Sequence, residues 1–211
     1  EARLDRVLLV LGANFGDLDN DGYPDLYLGT GAPDYRTLMP NRMFRNDGRG
    51  AFQDVTTAGG FGHLQKGHGI AFADVDGDGD QDIYAVMGGW YTGDVFPNVF
   101  FENPGHGNHW ITLRLRGTRV NRSAIGARIK VTAREPGGVR QIHALAGTGG
   151  SFGSASLQQE IGLGKAEAIE EIEIWWPGQE QRQRLGGLEM DRVYLVEEGV
   201  AAPRLVKGGS S

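Results

Sequence analysis

The sequence predicts an all-β chain: two blade-like repeats of a partial β-propeller, then a smaller sheet domain of different character. Three observations carry this. Glycine supplies 35 of 211 residues, more than twice the usual ~7%, which disfavours long helices and favours many turns between short strands. An aspartate-rich loop occurs twice, as DLDNDGYPD at 17–25 and DVDGDGDQD at 74–82. From Trp110 onward, apolar and polar residues alternate with the period of a half-buried sheet.

The two loops are copies. Phe15, Asp17, Asp19, Asp21, Gly22 and Asp25 stand 57 positions before Phe72, Asp74, Asp76, Asp78, Gly79 and Asp82, and the register continues without a gap through Tyr27/Tyr84, Asn41/Asn98, Phe44/Phe101 and Asn46/Asn103. Such a period marks a structural repeat. The first unit reads as strands at Val7–Leu11, Leu26–Leu28, Arg42–Arg45 and Phe52–Val55, with a hairpin turn at Asn46-Asp47-Gly48. Four short antiparallel strands make a propeller blade. The second unit repeats this with Gly69–Ala73, Ile83–Met87 and Val99–Glu102 but has no fourth strand. The repeats thus occupy 1–108.

The following domain, 109–198, alternates through Ile111, Leu113 and Leu115, then Ile129 and Val131, then Ile172 and Ile174, with Val193 and Leu195 in a last strand. Helical periodicity is confined to one turn near Lys165–Ala168, and residues 199–211 read as a loose tail.

Composition narrows the function classes. The absence of cysteine excludes disulfides, thiolate catalysis and Cys-ligated metals. Net charge is −6, with the acids concentrated in the two loops, which argues against nucleic acid as a partner. No apolar run approaches the roughly 18 residues of a membrane span, so membrane insertion is not expected. The chain starts at Glu1, as a processed or trimmed product would.

Carboxylates at this density repel unless a cation sits among them. Alternation aims loop positions 1, 3 and 5 at one point: Asp17, Asp19 and Asp21, and Asp74, Asp76 and Asp78. Position 6 is glycine in both, and position 4 is Asn20 or Gly77, types that tolerate left-handed backbone. Position 7 (Tyr23, Asp80) offers a backbone carbonyl, and position 9 (Asp25, Asp82) closes the set. Oxygen-only ligands suit Ca²⁺ first, with magnesium or manganese behind, giving two sites of structural character. Position 12 is Leu28 or Ala85 and not glutamate, so these are not EF-hand loops.

FGDLDNDGYPDLYLGTG and FADVDGDGDQDIYAVMGG resemble the FG-GAP (VCBS-type) repeats of integrin-like propellers, and NRMFRNDGRGAFQDVT is similar to the segment that follows the loop in such proteins. NHWITLRLRGTRVNRSAIGARIKV, GTGGSFGSASLQQEIGLG and IEIWWPG resemble the ASPIC/UnbV domain. Their order is similar to the cartilage acidic protein family. The resemblance implies a calcium-bound propeller, a β-sandwich-like second domain, and a secreted or cell-surface setting, extracellular or periplasmic.

Other motifs weigh less. Gly149-Gly150-Ser151-Phe152-Gly153 matches G-x-S-x-G but lacks the strand-to-helix context of a nucleophile elbow. His106 and His109 offer two imidazoles where zinc wants four ligands. The basic series Arg114, Arg116, Arg119, Arg122, Arg128, Lys130, Arg134 and Arg140 is either a polyanion face or the polar side of a half-exposed sheet. Trp90, Tyr91 and Phe96 are loop aromatics suited to sugar stacking, a protein contact or inter-blade packing. Asn121-Arg122-Ser123 matches a glycosylation sequon.

The expectation is a non-enzymatic, calcium-stabilised extracellular recognition or adhesion module for a surface protein or polysaccharide. The alternatives are part of a secreted carbohydrate-active enzyme, or a structural subunit of a larger assembly. The last follows because two blades leave open edges for missing blades or another subunit to cover.

Overall fold

The structure, a computed structural model, describes residues 2–4, 8–32, 34, 38–89 and 91–208. It is all-β, with no helix among the described residues. The first repeat forms a four-stranded antiparallel sheet in the order β1 (Val10–Gly16), β2 (Asp25–Thr30), β3 (Arg42–Asn46), β4 (Phe52–Asp54). The second forms a three-stranded sheet, β5 (Gly67–Ala73), β6 (Asp82–Met87), β7 (Val99–Phe101), without a fourth strand.

The repeats pack face to face. Tyr27 and Met43 from the first share one buried cluster with Ile70, Phe72, Ile83, Ala85 and Met87 from the second. The Tyr27 ring meets Phe61 and Phe101 at 6.1 and 6.0 Å, and its hydroxyl donates to the Phe61 carbonyl at 3.0 Å. The innermost strands β1 and β5 lie so close that a methyl group on Gly12 would overlap the His68 carbonyl, and one on Gly29 of β2 would stand 2.8 Å from the Gly67 backbone.

The C-terminal half is a sandwich of two four-stranded sheets. One runs β10 (Gly138–Leu145), β9 (Arg128–Glu135), β12 (Ala168–Trp175), β13 (Gln183–Leu185); the other runs β11 (Gln159–Gly164), β8 (His109–Arg116), β14 (Arg192–Glu197), β15 (Arg204–Gly208). The inward residues of both make one core, with Ile111, Leu113, Ile129, Val131, Ile172, Ile174 and Val196 all buried. Alternation in β8, β9 and β12 places these apolar residues inward, as the sequence predicts. Glu198 is buried at the end of this core. Burial pushes its carboxyl up, but the N–H groups of Arg119, Thr118 and Val120 hold it at about 2.

Several expectations need correction. The first strand does not lie at Val7–Leu11 but at Val10–Gly16, running straight into the loop; Val7 lies outside the described residues. Its Gly12 and Gly16 mark close approach of strand to strand. The tail assigned to 199–211 is not loose throughout. Residues 204–208 form β15, which pairs with β14. The turn near Lys165–Ala168 is a single turn closed by Ala166 N–H on the Leu163 carbonyl, not a helix.

Candidate metal centre

Each aspartate loop bridges two antiparallel strands of its sheet, β1 to β2 and β5 to β6. The backbone bends as the residue types predict: Asn20 and Gly77 at position 4 have φ of 53° and 79°, and Gly22 and Gly79 at position 6 have 87° and 101°. In each loop the carboxylates at positions 1, 3 and 5 converge. Asp17, Asp19 and Asp21 each bring an oxygen within 4.8 Å of the others, and so do Asp74, Asp76 and Asp78.

Position 9 also fastens the loop. Asp25 accepts the Leu18 N–H at 3.1 Å on one oxygen and the Asn46 N–H at 2.8 Å on the other. Asp82 does the same with Val75 at 3.0 Å and Asn103 at 2.9 Å. Both are buried pins between the loop and the neighbouring strand, standing beside the triads. At position 7, Tyr23 donates its N–H to Asp21 and lays its ring under the Arg140 guanidinium at 5.3 Å. Asp80 donates its N–H to Asp78 and accepts the Asn20 amide at 2.5 Å.

The two copies sit in different surroundings. In loop 1, Asp17 and Asp19 are buried; in loop 2, Asp76 and Asp78 are exposed. Burial, with its three carboxylate neighbours against the Gly22 N–H, pushes Asp17 up to about 8. Burial likewise raises Asp25 to about 7, despite its two N–H partners. Asp21 is raised by burial and Asp19, and Asp74 by burial, with the Asp78 charge adding to it. Asp80 reaches about 6, through burial and Asp78. Loop 1 has a partial counter-charge: Arg45 donates Nε to Asp19 at 2.6 Å and places Nη2 3.7 Å from Asp21. Its counterpart 57 positions on is Glu102, so loop 2 has no such arginine from its own repeat.

This donor set fits a hard divalent cation. It is all oxygen, converges on one point, and is destabilised by its own charge, which Arg45 and Arg140 offset only in part at loop 1. The loops are also where the C-terminal half docks. Over loop 1, Gly164 N–H donates to the Asn20 carbonyl at 2.8 Å, Arg140 to the Asp21 carbonyl at 2.7 Å, and Asn108 to the Asp19 carbonyl at 2.7 Å. A methyl group on Gly162 would overlap Asp17 and stand 2.5 Å from the Asn20 backbone. Over loop 2, one on Gly79 would overlap the Trp110 indole.

The remaining candidates are dispersed. His109 is engaged by Asp191 at 2.8 Å, and His106 lies near Asp80 instead. Ser151 pairs its backbone with Ala13 of β1, so the G-x-S-x-G stretch straps the two halves together. Much of the basic series is matched by acids: Arg116 with Glu197, Arg119 with Glu198, Lys130 with Glu173, Arg134 with Glu167, Arg140 with Glu135. Tyr91 and Phe96 are exposed, and Trp90 lies outside the described residues. The surroundings of the loops (Arg45, Gln81, Arg140, Gly162) are what sequence reading missed. The break of register at Arg45/Glu102 and at Pro24/Gln81 is the signal that points to two of them.

Comparison with known families agrees with this arrangement. Residues 17–85 match the FG-GAP-like repeat family, and residues 117–203 match the ASPIC and UnbV family, in that order. No curated protein matches the chain. FG-GAP-like repeats are typical of extracellular proteins, and among the described residues no helix is long and apolar enough to cross a membrane.

Two outcomes follow from the geometry. Without cation, the folded state keeps protons on Asp17 and Asp25 that the unfolded chain, at an ordinary 3.8, has released. Its stability therefore falls as pH rises from about 4 to about 8. Melting curves with and without EDTA should show a larger loss on chelation near pH 8 than near pH 5; melting indifferent to EDTA at both would rule out a structural cation. Separately, Gly162→Ala should cost about 1–3 kcal/mol by overpacking loop 1, whereas Gly186→Ala, in open space, should be near neutral in urea unfolding.

Proposed function

We propose that this chain, in which FG-GAP-like repeats precede an ASPIC/UnbV domain, is a secreted or cell-surface recognition module. It is non-enzymatic, is stabilised by Ca²⁺ at both loops, and binds a surface protein or polysaccharide. At millimolar ion and an affinity of about 10⁻⁴ M, each loop would contribute roughly 1.5 kcal/mol.

A cavity of about 660 Å³ between the two repeats, beside loop 1, supports the recognition reading. Its floor is apolar, with Leu18, Met43, Phe61 and Phe101, and its rim holds Arg45, Glu102, His106 and Lys165. The Phe61 and Phe101 rings lie 5.3 Å apart. An apolar floor with few charged groups at the mouth is the usual form of a ligand site, and its volume is within the usual range.

A second reading, a subunit within a larger assembly, rests on the repeat register. Tyr27 and Met43 are buried between the repeats, while their counterparts Tyr84 and Phe100 are 43% and 44% exposed, paired across β6 and β7 beside exposed Val86. The face that the first repeat buries is thus presented outward by the second.

Arrays of glycans and surface proteins, probed with the calcium-loaded chain, should return a ligand whose binding is weakened by Phe101→Ala or Lys165→Ala. Turnover of a glycan without such binding would overturn the recognition reading. Sedimentation separates the second reading: self-association abolished by Tyr84→Lys favours it, and a stable monomer counts against it.

A further inference from the structure

The two loops are not independent neighbours. Gln81, the residue before Asp82, reaches back to loop 1, where its Oε1 accepts the Asp17 N–H at 2.7 Å. Its Nε2 donates to Glu160 at 2.6 Å, and the other oxygen of Glu160 accepts the Asp74 N–H at 3.4 Å. The path therefore runs from the first aspartate of loop 1, through one side chain of loop 2 and one of β11, to the first aspartate of loop 2.

Each part has one fitting arrangement. A backbone N–H only donates, so the Asp17 N–H takes the amide oxygen of Gln81, and the amide nitrogen is turned to Glu160. Gly16, just before Asp17, leaves the necessary room, since a methyl group there would stand 2.7 Å from Gln81 Oε1 and overlap the Phe72 ring. The first repeat has Pro24 where the second has Gln81, so the bridge is a property of one copy only. Gln81 and Glu160 are both largely buried, where a hydrogen bond is costly to leave unmade.

We propose that the two loops take up cation cooperatively, with Gln81 and Glu160 as the positioning residues that couple them. Ordering loop 2 fixes position 8, which fixes Gln81, which holds the Asp17 backbone where its carboxylate joins Asp19 and Asp21. By reciprocity, ordering loop 1 favours loop 2 by the same factor. The inference rests on the cation reading of the loops, and goes beyond it by making the second domain, through Glu160, part of the coupling.

The test is calorimetric titration of the full chain with Ca²⁺. Loop 2 is disabled by Asp76→Asn with Asp78→Asn, two exposed positions where the amide keeps an acceptor for the loop backbone. Disabling it should weaken loop 1 by about fivefold or more. The same change made in Gln81→Met or in Glu160→Gln should alter loop 1 by less than about twofold, which is the double-mutant-cycle signature of a lost coupling. If Gln81→Met fails to fold, Glu160→Gln alone reads the result.

Loop 1 affinity that ignores loop 2 in the unmodified chain overturns the proposal. So does coupling that survives both variants and is lost in Asn20→Ala, whose amide also reaches loop 2, at the Gly79 carbonyl 3.1 Å away. Absence of Ca²⁺ uptake at either loop defeats the cation reading and the coupling together; independent uptake defeats the coupling alone.

Discussion

Repulsion among carboxylates held under a lid is the constraint on which this structure turns. Asp17, Asp19 and Asp21 converge, and Asp17 is covered by the Gly162–Gly164 end of β11. Water is thereby excluded from the place where it would most relieve the repulsion. The remaining sources of relief are protonation, a cation, and the guanidinium groups of Arg45 and Arg140. The raised Asp17 and Asp25, the convergent oxygens and the short Arg45–Asp19 contact correspond to these in turn.

The same arrangement explains why two unlike domains adhere. The contact holds few large apolar side chains beyond Trp110 on Gly79, and consists mainly of backbone and polar groups fitted to loop carbonyls and N–H groups. Such a surface exists only while the loops keep their shape. Glycines at 79 and 162 permit the approach, so side-chain-free positions decide the fit as much as charged ones do.

Much of this was legible in the sequence, for a definite reason. A register of 57 with matched Asp, Gly, Tyr, Phe and Asn reports on both loops at once, and positions 4 and 6 announce their backbone geometry through residue type. The alternation of β8, β9 and β12 likewise gave their inward faces. What was not legible depends on contacts between distant segments. The first strand reads as ending at Leu11 because the reason for Gly12 and Gly16, the nearness of β5 and Gln81, lies far along the chain. Strand β10 is largely exposed, with Ile142 its one buried residue, so no alternation marked it. Nor does the letter at Asp25 and Asp82 reveal that each carboxylate also accepts two backbone N–H groups, one of them from the strand beside the loop.

The connectivity of the second domain bears on how the molecule is made. Strand β8 sits between β11 and β14, and β14 runs parallel to it, so that sheet waits for strands from the end of the chain. Emerging N-terminus first, the newborn chain displays both aspartate loops well before Gly162 and Glu160 exist to cover them. Closure from so far along the chain is also slow, since distant segments must meet before any contact rewards them. For that interval the loops stand open to solvent, and whatever ions the compartment holds reach them before the lid does.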